Sequence, residues 1–190
     1  MRCFVALGLA DGPEAALEPW LESTRANFTE LAVSRATNLH LTLAFLGEIG
    51  EESLELASAE VRAAARRGRA WPLRWTSPGV FPPKGTPRVL WLGADGGEAL
   101  AHTHEELSTG LKAAGLVTGV RAFRPFRPHL TLARVRRREI SRDRYREIVA
   151  HLETLPTPEP STAVALVLYQ SRLGGDAAVH TPLLTSPLDD

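Results

Sequence analysis

Apolar and polar residues along the chain form short alternating runs separated by stretches with helical spacing. Alternating runs predict strands, and apolar residues three and four positions apart predict helices. The first half therefore reads strand, helix, strand, helix, strand. Its predicted elements are RCFVALGL at residues 2–9, a helix from about Pro13 to Phe28, HLTLAFL at 40–46, a helix from about Glu51 to Arg67, and WPLRWTS at 71–77. Pro19 is expected to interrupt or kink the first helix.

The second half repeats this order of elements. It consists of a strand RVLWLGA at residues 88–94, a helix to about Ala114, a strand HLTLARV at 129–135, a helix from about Ser141 to Leu152, and a strand TAVALVLYQS at 162–171. A last segment, VHTPLL, is expected to add an edge strand, where Pro182 is tolerated. The proline-rich stretch from Ser77 to Pro87 is expected to connect the two halves.

The tetrapeptide His-Leu-Thr-Leu occupies the third element of each half. A segment that recurs at the matching place indicates an internal duplication, with approximate repeats at 1–76 and 88–172. Two copies are too few for a solenoid. The sequence therefore predicts one bilobal α+β domain over residues 1–190, with two lobes related by a pseudo-twofold axis.

Composition narrows the class of protein. The 190 residues carry no formal net charge, which argues against indiscriminate nucleic-acid binding, although ten arginines lie between Arg121 and Arg146 against only Glu139 and Asp143. No apolar run approaches the roughly 18 residues of a membrane span. A single cysteine, Cys3, cannot form an intramolecular disulfide. We expect a cytoplasmic, soluble protein without a membrane partner.

Both motifs place a histidine and a threonine on one strand face. Side chains alternate along a strand, so His40 and Thr42 point one way while the leucines point into the core, and the same holds for His129 and Thr131. Imidazoles near their reference pKa form an acid and base couple, one protonated and one neutral. Hydroxyls can donate to phosphate oxygens. Displacement at phosphorus needs a base on one side and an acid on the other.

Other polar clusters predict no site. In HTHEE, the spacing of His102 and His104 does not suit a helical zinc pair, so a solvated helix surface is expected and no metal is predicted. Neither DGG nor GGD lies in a dinucleotide-binding or P-loop pattern. A lone His-x-Thr would itself usually be structural, and the duplicated spacing is what indicates function.

The segments HLTLAFLG, RPHLTLARV, PRVLWLG and LVLYQSRL together resemble the 2H phosphoesterase superfamily, most closely the bacterial RNA 2′,3′-cyclic phosphodiesterases once named 2′-5′ RNA ligases. The resemblance implies two mainly antiparallel sheets lining a central cleft with helices outside, no cofactor and no metal. It also implies hydrolysis of 2′,3′-cyclic phosphate ends of RNA or nucleotides to 2′-phosphates, with 2′-5′ ligation as the reverse chemistry. His129 resembles the base and His40 the acid, while Thr42 and Thr131 would hold phosphate oxygens.

Two further residues are predicted to bind substrate. Arg134 matches a family arginine suited to a phosphate clamp, and Phe45 would stack on a base. Strand alternation puts both on the face opposite the histidines, so Arg134 would need a bulge or strand end, and Phe45 could instead belong to the core. Tyr169, Ser171 and Arg172 are further candidates for the cleft, and Arg127, before Pro128, is either a cleft residue or a solvated charge.

Two other functions are compatible with the same residues. A relative acting on another cyclic or linear phosphoester, or a noncatalytic RNA- or nucleotide-binding module, would keep the same cleft. We expect a monomer.

Overall fold

The computed structural model describes residues 1–117, 125–136, 140–174 and 177–189. Within them the strands are β1 (Arg2–Ala10), β2 (Leu31–Val33), β3 (Thr42–Glu48), β4 (Trp71–Phe81), β5 (Val89–Asp95), β6 (His129–Val135), β7 (Ser161–Gly174) and β8 (Ala177–Pro187). The helices are α1 (Glu14–Asn27), α2 (Glu51–Ala65), α3 (Gly97–Ala113) and α4 (Arg142–Leu152), with a 3₁₀ turn at Ala36–Asn38. The α+β prediction is confirmed.

All strand pairings between the described elements are antiparallel, in the order β2-β6-β5-β4-β7-β1-β3, with β8 beside β7. Strand β4 joins the two lobes, because Trp71–Leu73 pair with β7 while the residues from Arg74 onward pair with β5. One lobe contains β3, β1, β7 and β8, and the other contains β5, β6 and β2. Each motif therefore lies in a different lobe.

The lobes exchange strands between the two halves of the sequence. Strand β2 comes from the first half yet pairs with β6, and β7 comes from the second half yet pairs with β1. The assignment of residues 1–76 and 88–172 to two repeats stays a prediction about the sequence. In space, the exchange ties both halves into one connected set of strands.

The core lies between these strands and the helices. The motif leucines Leu41, Leu43, Leu130 and Leu132 are all buried, as strand alternation predicts. Each helix buries one apolar stripe, through residues such as Leu17 and Leu21 in α1, Ala57 and Val61 in α2, Leu107 and Leu111 in α3, and Ile148 and Leu152 in α4. This packing leaves the polar face of each motif free of the core.

Two local predictions need correction, and two short elements were missed. Helix α1 is continuous from Glu14 to Asn27 with Pro19 inside it, although a proline beyond the first turn supplies no N–H for the intrahelical hydrogen bond. The predicted connector is shorter than expected, because Ser77–Phe81 extend β4. The short strand β2 and the 3₁₀ turn were not predicted.

No helix in the described ranges has both the length and the apolar character needed to cross a membrane. The final segment does form an edge strand, β8, which is longer than the predicted VHTPLL.

Candidate active site

His40 lies two residues before Thr42, the first residue of β3, and Leu41 separates them. Its Nδ1 donates a hydrogen bond to the backbone carbonyl of Asn38 over 2.7 Å. A carbonyl oxygen only accepts, so this contact places the proton of a neutral imidazole on Nδ1. The Nε2 atom of His40 is then the nitrogen that can exchange a proton with another group.

His129 begins β6 and is held in the same way. Its Nδ1 donates to the backbone carbonyl of Arg127 over 2.6 Å, again two residues earlier in the chain. The two histidines therefore have the same tautomer, with Nε2 unprotonated when the ring is neutral. Sequence reasoning did not identify this shared feature, which depends on the backbone conformation before each motif.

The two motifs meet directly. Leu41 and Leu130 form an isolated antiparallel bridge between the beginnings of the two motif strands. Because the strands run in opposite directions, His40 lies beside Thr131 and His129 lies beside Thr42 on the face that carries both pairs. The structure thus brings together the four residues that the sequence predicts for acid-base chemistry and phosphate binding.

Burial lowers the proton affinity of both imidazoles. It lowers the pKa of His40 from 6.5 to about 4, against the hydrogen bond to Asn38, with smaller lowering by His180, Arg134 and His129. Burial also lowers the pKa of His129, which Arg134 lowers further against its hydrogen bond to Arg127. Burial therefore favours the neutral form of both rings in the free protein, whereas the acid and base couple predicted from the sequence requires one protonated ring. An anionic substrate would favour return of a proton to one of them.

A β-bulge changes the face of Phe45. Thr42 pairs with Ala6 but Ala44 pairs with Val5, so Leu43 is an extra residue in β3. Phe45 then pairs with Phe4, which shares a strand face with Ala6. Phe45 consequently lies on the same face as Thr42.

The second motif contains the same irregularity. Thr131 pairs with Trp91 but Ala133 pairs with Leu90, which makes Leu132 the extra residue of β6. Arg134 pairs with Val89 and so shares a face with Thr131. The fourth residue of each His-Leu-Thr-Leu segment is thus the bulge, and each bulge brings the residue two positions later, Phe45 or Arg134, to the histidine face.

The core alternative for Phe45 is wrong. Half of its side chain is exposed, and its ring centroid lies 6.2 Å from that of Phe4. Arg134 is close enough to lower the pKa of both histidines. The surface between the motifs therefore offers an apolar ring at one end and a guanidinium at the other.

A model described as the 2′-5′ RNA ligase superfamily matches residues 13–175. The chain belongs to the 2′-5′ RNA ligase superfamily.

Known proteins match this chain along most of their length. The RNA 2′,3′-cyclic phosphodiesterase of Archaeoglobus fulgidus is 33% identical over 138 residues, which is 73% of this chain and 74% of that protein. The crystal structure of TT0787 of Thermus thermophilus has a TM-score of 0.80 and 29% identity, covering 99% of this chain and 98% of that one. E. coli LigT complexed with 3′-AMP has a TM-score of 0.75 and 25% identity, covering 100% of this chain and 98% of LigT. The predicted family and phosphoesterase class are confirmed.

In this member of the superfamily, aromatic side chains surround each motif histidine. The ring of Phe4 stacks on His40 with centroids 4.6 Å apart, and Tyr169 stacks on Phe4 at 5.2 Å. His180 meets His40 edge to face at 5.0 Å. On the other side, Phe81 and Trp91 contact His129 with centroids 5.1 and 6.2 Å away.

Sequence reasoning missed Phe4, Phe81, Trp91 and His180. Strand alternation could place Phe4 and Ala6 on one face of β1, but only the pairing with β3 shows that this face carries the histidine. Tyr169, an expected cleft residue, reaches the site by its contact with Phe4.

The remaining candidates are less directly involved. Arg127 and Arg172 have exposed side chains, and Ser171 pairs with His180 in the β7–β8 ladder. Four arginines of the arginine-rich segment lie outside the described residues, namely Arg121, Arg124, Arg137 and Arg138. Electrostatic steering of RNA by this segment therefore stays a prediction.

In the HTHEE segment, His102 is exposed, while His104 stacks on Phe126 with ring centroids 3.8 Å apart. No cluster of three metal-ligating side chains occurs within the described ranges.

Proposed function

We propose that the chain hydrolyses terminal 2′,3′-cyclic phosphates of RNA or nucleotides to 2′-phosphates, with His40 and His129 as acid and base. The observation that carries this proposal is the meeting of the two motifs at Leu41 and Leu130, which sets two imidazoles of the same tautomer on one face. The phosphodiesterase activity named for the Archaeoglobus relative supports the choice of substrate.

In the proposed reaction, Nε2 of His129 takes a proton from water as the water oxygen attacks phosphorus. The bond between phosphorus and the 3′-oxygen breaks, and Nε2–H of His40 gives its proton to that oxygen. The product keeps the phosphate on the 2′-oxygen. One proton leaves His129 for solvent and one returns to His40, so the enzyme is unchanged after each cycle.

The depressed pKa of His40 requires a source for its proton. The phosphodiester carries one negative charge, and an anion beside the imidazole favours the imidazolium form. Thr42, Thr131 and Arg134 are proposed to hold the two non-bridging oxygens. Run in reverse, with an RNA 5′-hydroxyl in place of water, the same steps form a 2′-5′ linkage.

The proposed enzyme is a monomer of the cytoplasm. One chain supplies both histidines, because the strand that follows His40, β3, and the strand that begins with His129, β6, belong to the same connected sheet. Its one cysteine, Cys3, is buried and carries a free thiol.

The proposal is tested by incubating the purified protein with 2′,3′-cyclic AMP in the presence of EDTA and separating the products by chromatography. We expect 2′-AMP and no 3′-AMP. Binding of the nucleotide without turnover would indicate a binding module, and exclusive formation of 3′-AMP would contradict the assigned leaving oxygen.

Phe45 is predicted to bind the base. Its exposed ring on the histidine face can stack on a nucleobase, an interaction worth about 1–3 kcal/mol. We expect Phe45→Ala to raise KM for 2′,3′-cyclic AMP roughly tenfold, the low end of that range, and to change kcat little. Leu56→Ala, which truncates an exposed apolar side chain on α2, should leave both constants unchanged. Equal KM values for the wild type and Phe45→Ala would show that Phe45 does not contact the base.

A further inference from the structure

Strand β8 is joined to the loop that carries His40. The side-chain amide of Asn38 donates a hydrogen bond to the carbonyl of Ala178 over 2.8 Å. The backbone carbonyl of the same Asn38 accepts the hydrogen bond from His40. Asn38 is therefore bound to β8 through its side chain and to the histidine through its backbone.

Strand β8 also contacts the His40 ring through His180, two residues after Ala178. The centroid of His180 lies 5.0 Å from those of His40 and Phe4, with its ring nearly perpendicular to both. Because Phe4 also stacks on His40, the three rings contact one another. Rotation of the His40 ring would break contacts on two sides.

The surroundings of His180 leave one of its ring nitrogens without a partner. Its Nδ1 is buried and has no hydrogen-bond partner among the described residues. Burying an unpaired polar nitrogen costs free energy that a hydrocarbon ring would not cost. The position nevertheless holds an aromatic ring against both His40 and Phe4.

The other motif lacks the same connection. The carbonyl of Arg127 holds His129, but the Arg127 side chain is exposed and makes no hydrogen bond to another strand within the described ranges. Phe81 and Trp91 contact the His129 ring from β4 and β5. Of the two motif histidines, and among the described residues, His40 alone has one neighbouring strand that binds the side chain of the residue supplying its carbonyl and also contacts its ring.

We propose that strand β8 clamps His40 in the orientation needed for proton donation, with Asn38 and His180 as positioning residues. This proposal rests on the function proposed above. A general acid must point its proton at the leaving oxygen, and small errors in position reduce the rate strongly. Within the described residues, the Nδ1 hydrogen bond and the ring contacts of His40 are what define that direction.

The charges around His40 make the hydrogen bond to Asn38 important. His180 faces it from β8, and Arg134 and His129 face it from β6, and all three lower its pKa. The Asn38 carbonyl opposes them by favouring the protonated ring. Loss of the hydrogen bond between the Asn38 side chain and β8 is expected to make this carbonyl more mobile. The His40 ring would then be misaligned, and its pKa would fall further.

The test compares Asn38→Ala and His180→Ala with Val179→Ala, an exposed residue of the same strand. We expect each of the first two to lower kcat for 2′,3′-cyclic AMP roughly tenfold, with KM nearly unchanged. Because both residues hold one ring, the double variant should lose less than the product of the single losses. His180→Phe keeps a ring and should recover most of the kcat lost in His180→Ala. Val179→Ala should match the wild type.

Wild-type kcat in both Asn38→Ala and His180→Ala would overturn the clamp, as would an equal loss in Val179→Ala. A second measurement needs no substrate: NMR titration of the His40 ring should show a lower pKa in Asn38→Ala and no change in Val179→Ala. An unchanged His40 titration in Asn38→Ala also rejects the clamp. If the wild type does not turn over the cyclic nucleotide, the proposed function fails, and the titration alone decides about the clamp.

Discussion

Replacing either motif histidine by glutamine is expected to lower kcat/KM for 2′,3′-cyclic AMP by roughly 10² or more. Glutamine can form hydrogen bonds but cannot take up or release a proton near neutral pH. In the proposed mechanism, His40→Gln removes the proton donor for the leaving oxygen, and His129→Gln removes the base that activates water. Initial rates measured over pH 5 to 9 would determine both losses.

The matched control is His102→Gln, because His102 is an exposed histidine on α3, outside the cleft. It should retain wild-type kinetics. The single losses at His40 and His129 should also combine non-additively, since both groups act on one displacement. Wild-type turnover by either His40→Gln or His129→Gln would contradict the two-histidine mechanism.

Arg134→Gln is expected to lower kcat/KM between about 10-fold and 10²-fold, because a charged donor aimed at a phosphate oxygen stabilises the developing charge. Arg134→Lys keeps the charge but not the bidentate geometry and should lie between the wild type and Arg134→Gln. Arg127→Gln, which removes a nearby exposed charge, should have a small effect.

Arg134→Gln should also change the pKa of both motif histidines. The guanidinium lowers the pKa of both His40 and His129. Its removal should therefore raise both pKa values, which NMR titration of the imidazole rings can measure. Unchanged histidine titration together with wild-type kinetics would show that Arg134 does not face the cleft.

Much of the fold follows from local pattern. Alternation places Leu41, Leu43, Leu130 and Leu132 in the core, and helical spacing gives the four helices within a few residues of their ends. These features depend on side chains that are close in sequence. The duplicated motif also indicates that two strands have equivalent places in two lobes.

The side on which Phe45 and Arg134 lie could not be predicted in this way. Alternation within one strand assigns both to the face opposite the histidines. The extra residues Leu43 and Leu132 reverse that assignment, and they become visible only from the register with β1 and β5. A bulge is a property of two paired strands.

His180 was missed for a related reason. It lies about 140 residues after His40, in a segment whose pattern indicates only an edge strand. The pairing of β7 with both β1 and β8 brings it to the site. The three-residue strand β2 is likewise too short to give a periodic signal, and pairing with β6 is what orders it.

The central claim is that the two histidines act on opposite sides of one phosphorus atom, with His40 protonating the leaving oxygen. The most direct test is the turnover of a 2′,3′-cyclic substrate in which sulfur replaces the 3′-bridging oxygen. A thiolate leaves without help from an acid, because thiols are far more acidic than alcohols. We predict that His40→Gln approaches the wild-type rate on this substrate while His129→Gln remains slow. Equal rates for the two variants, or recovery by His129→Gln alone, would contradict the account.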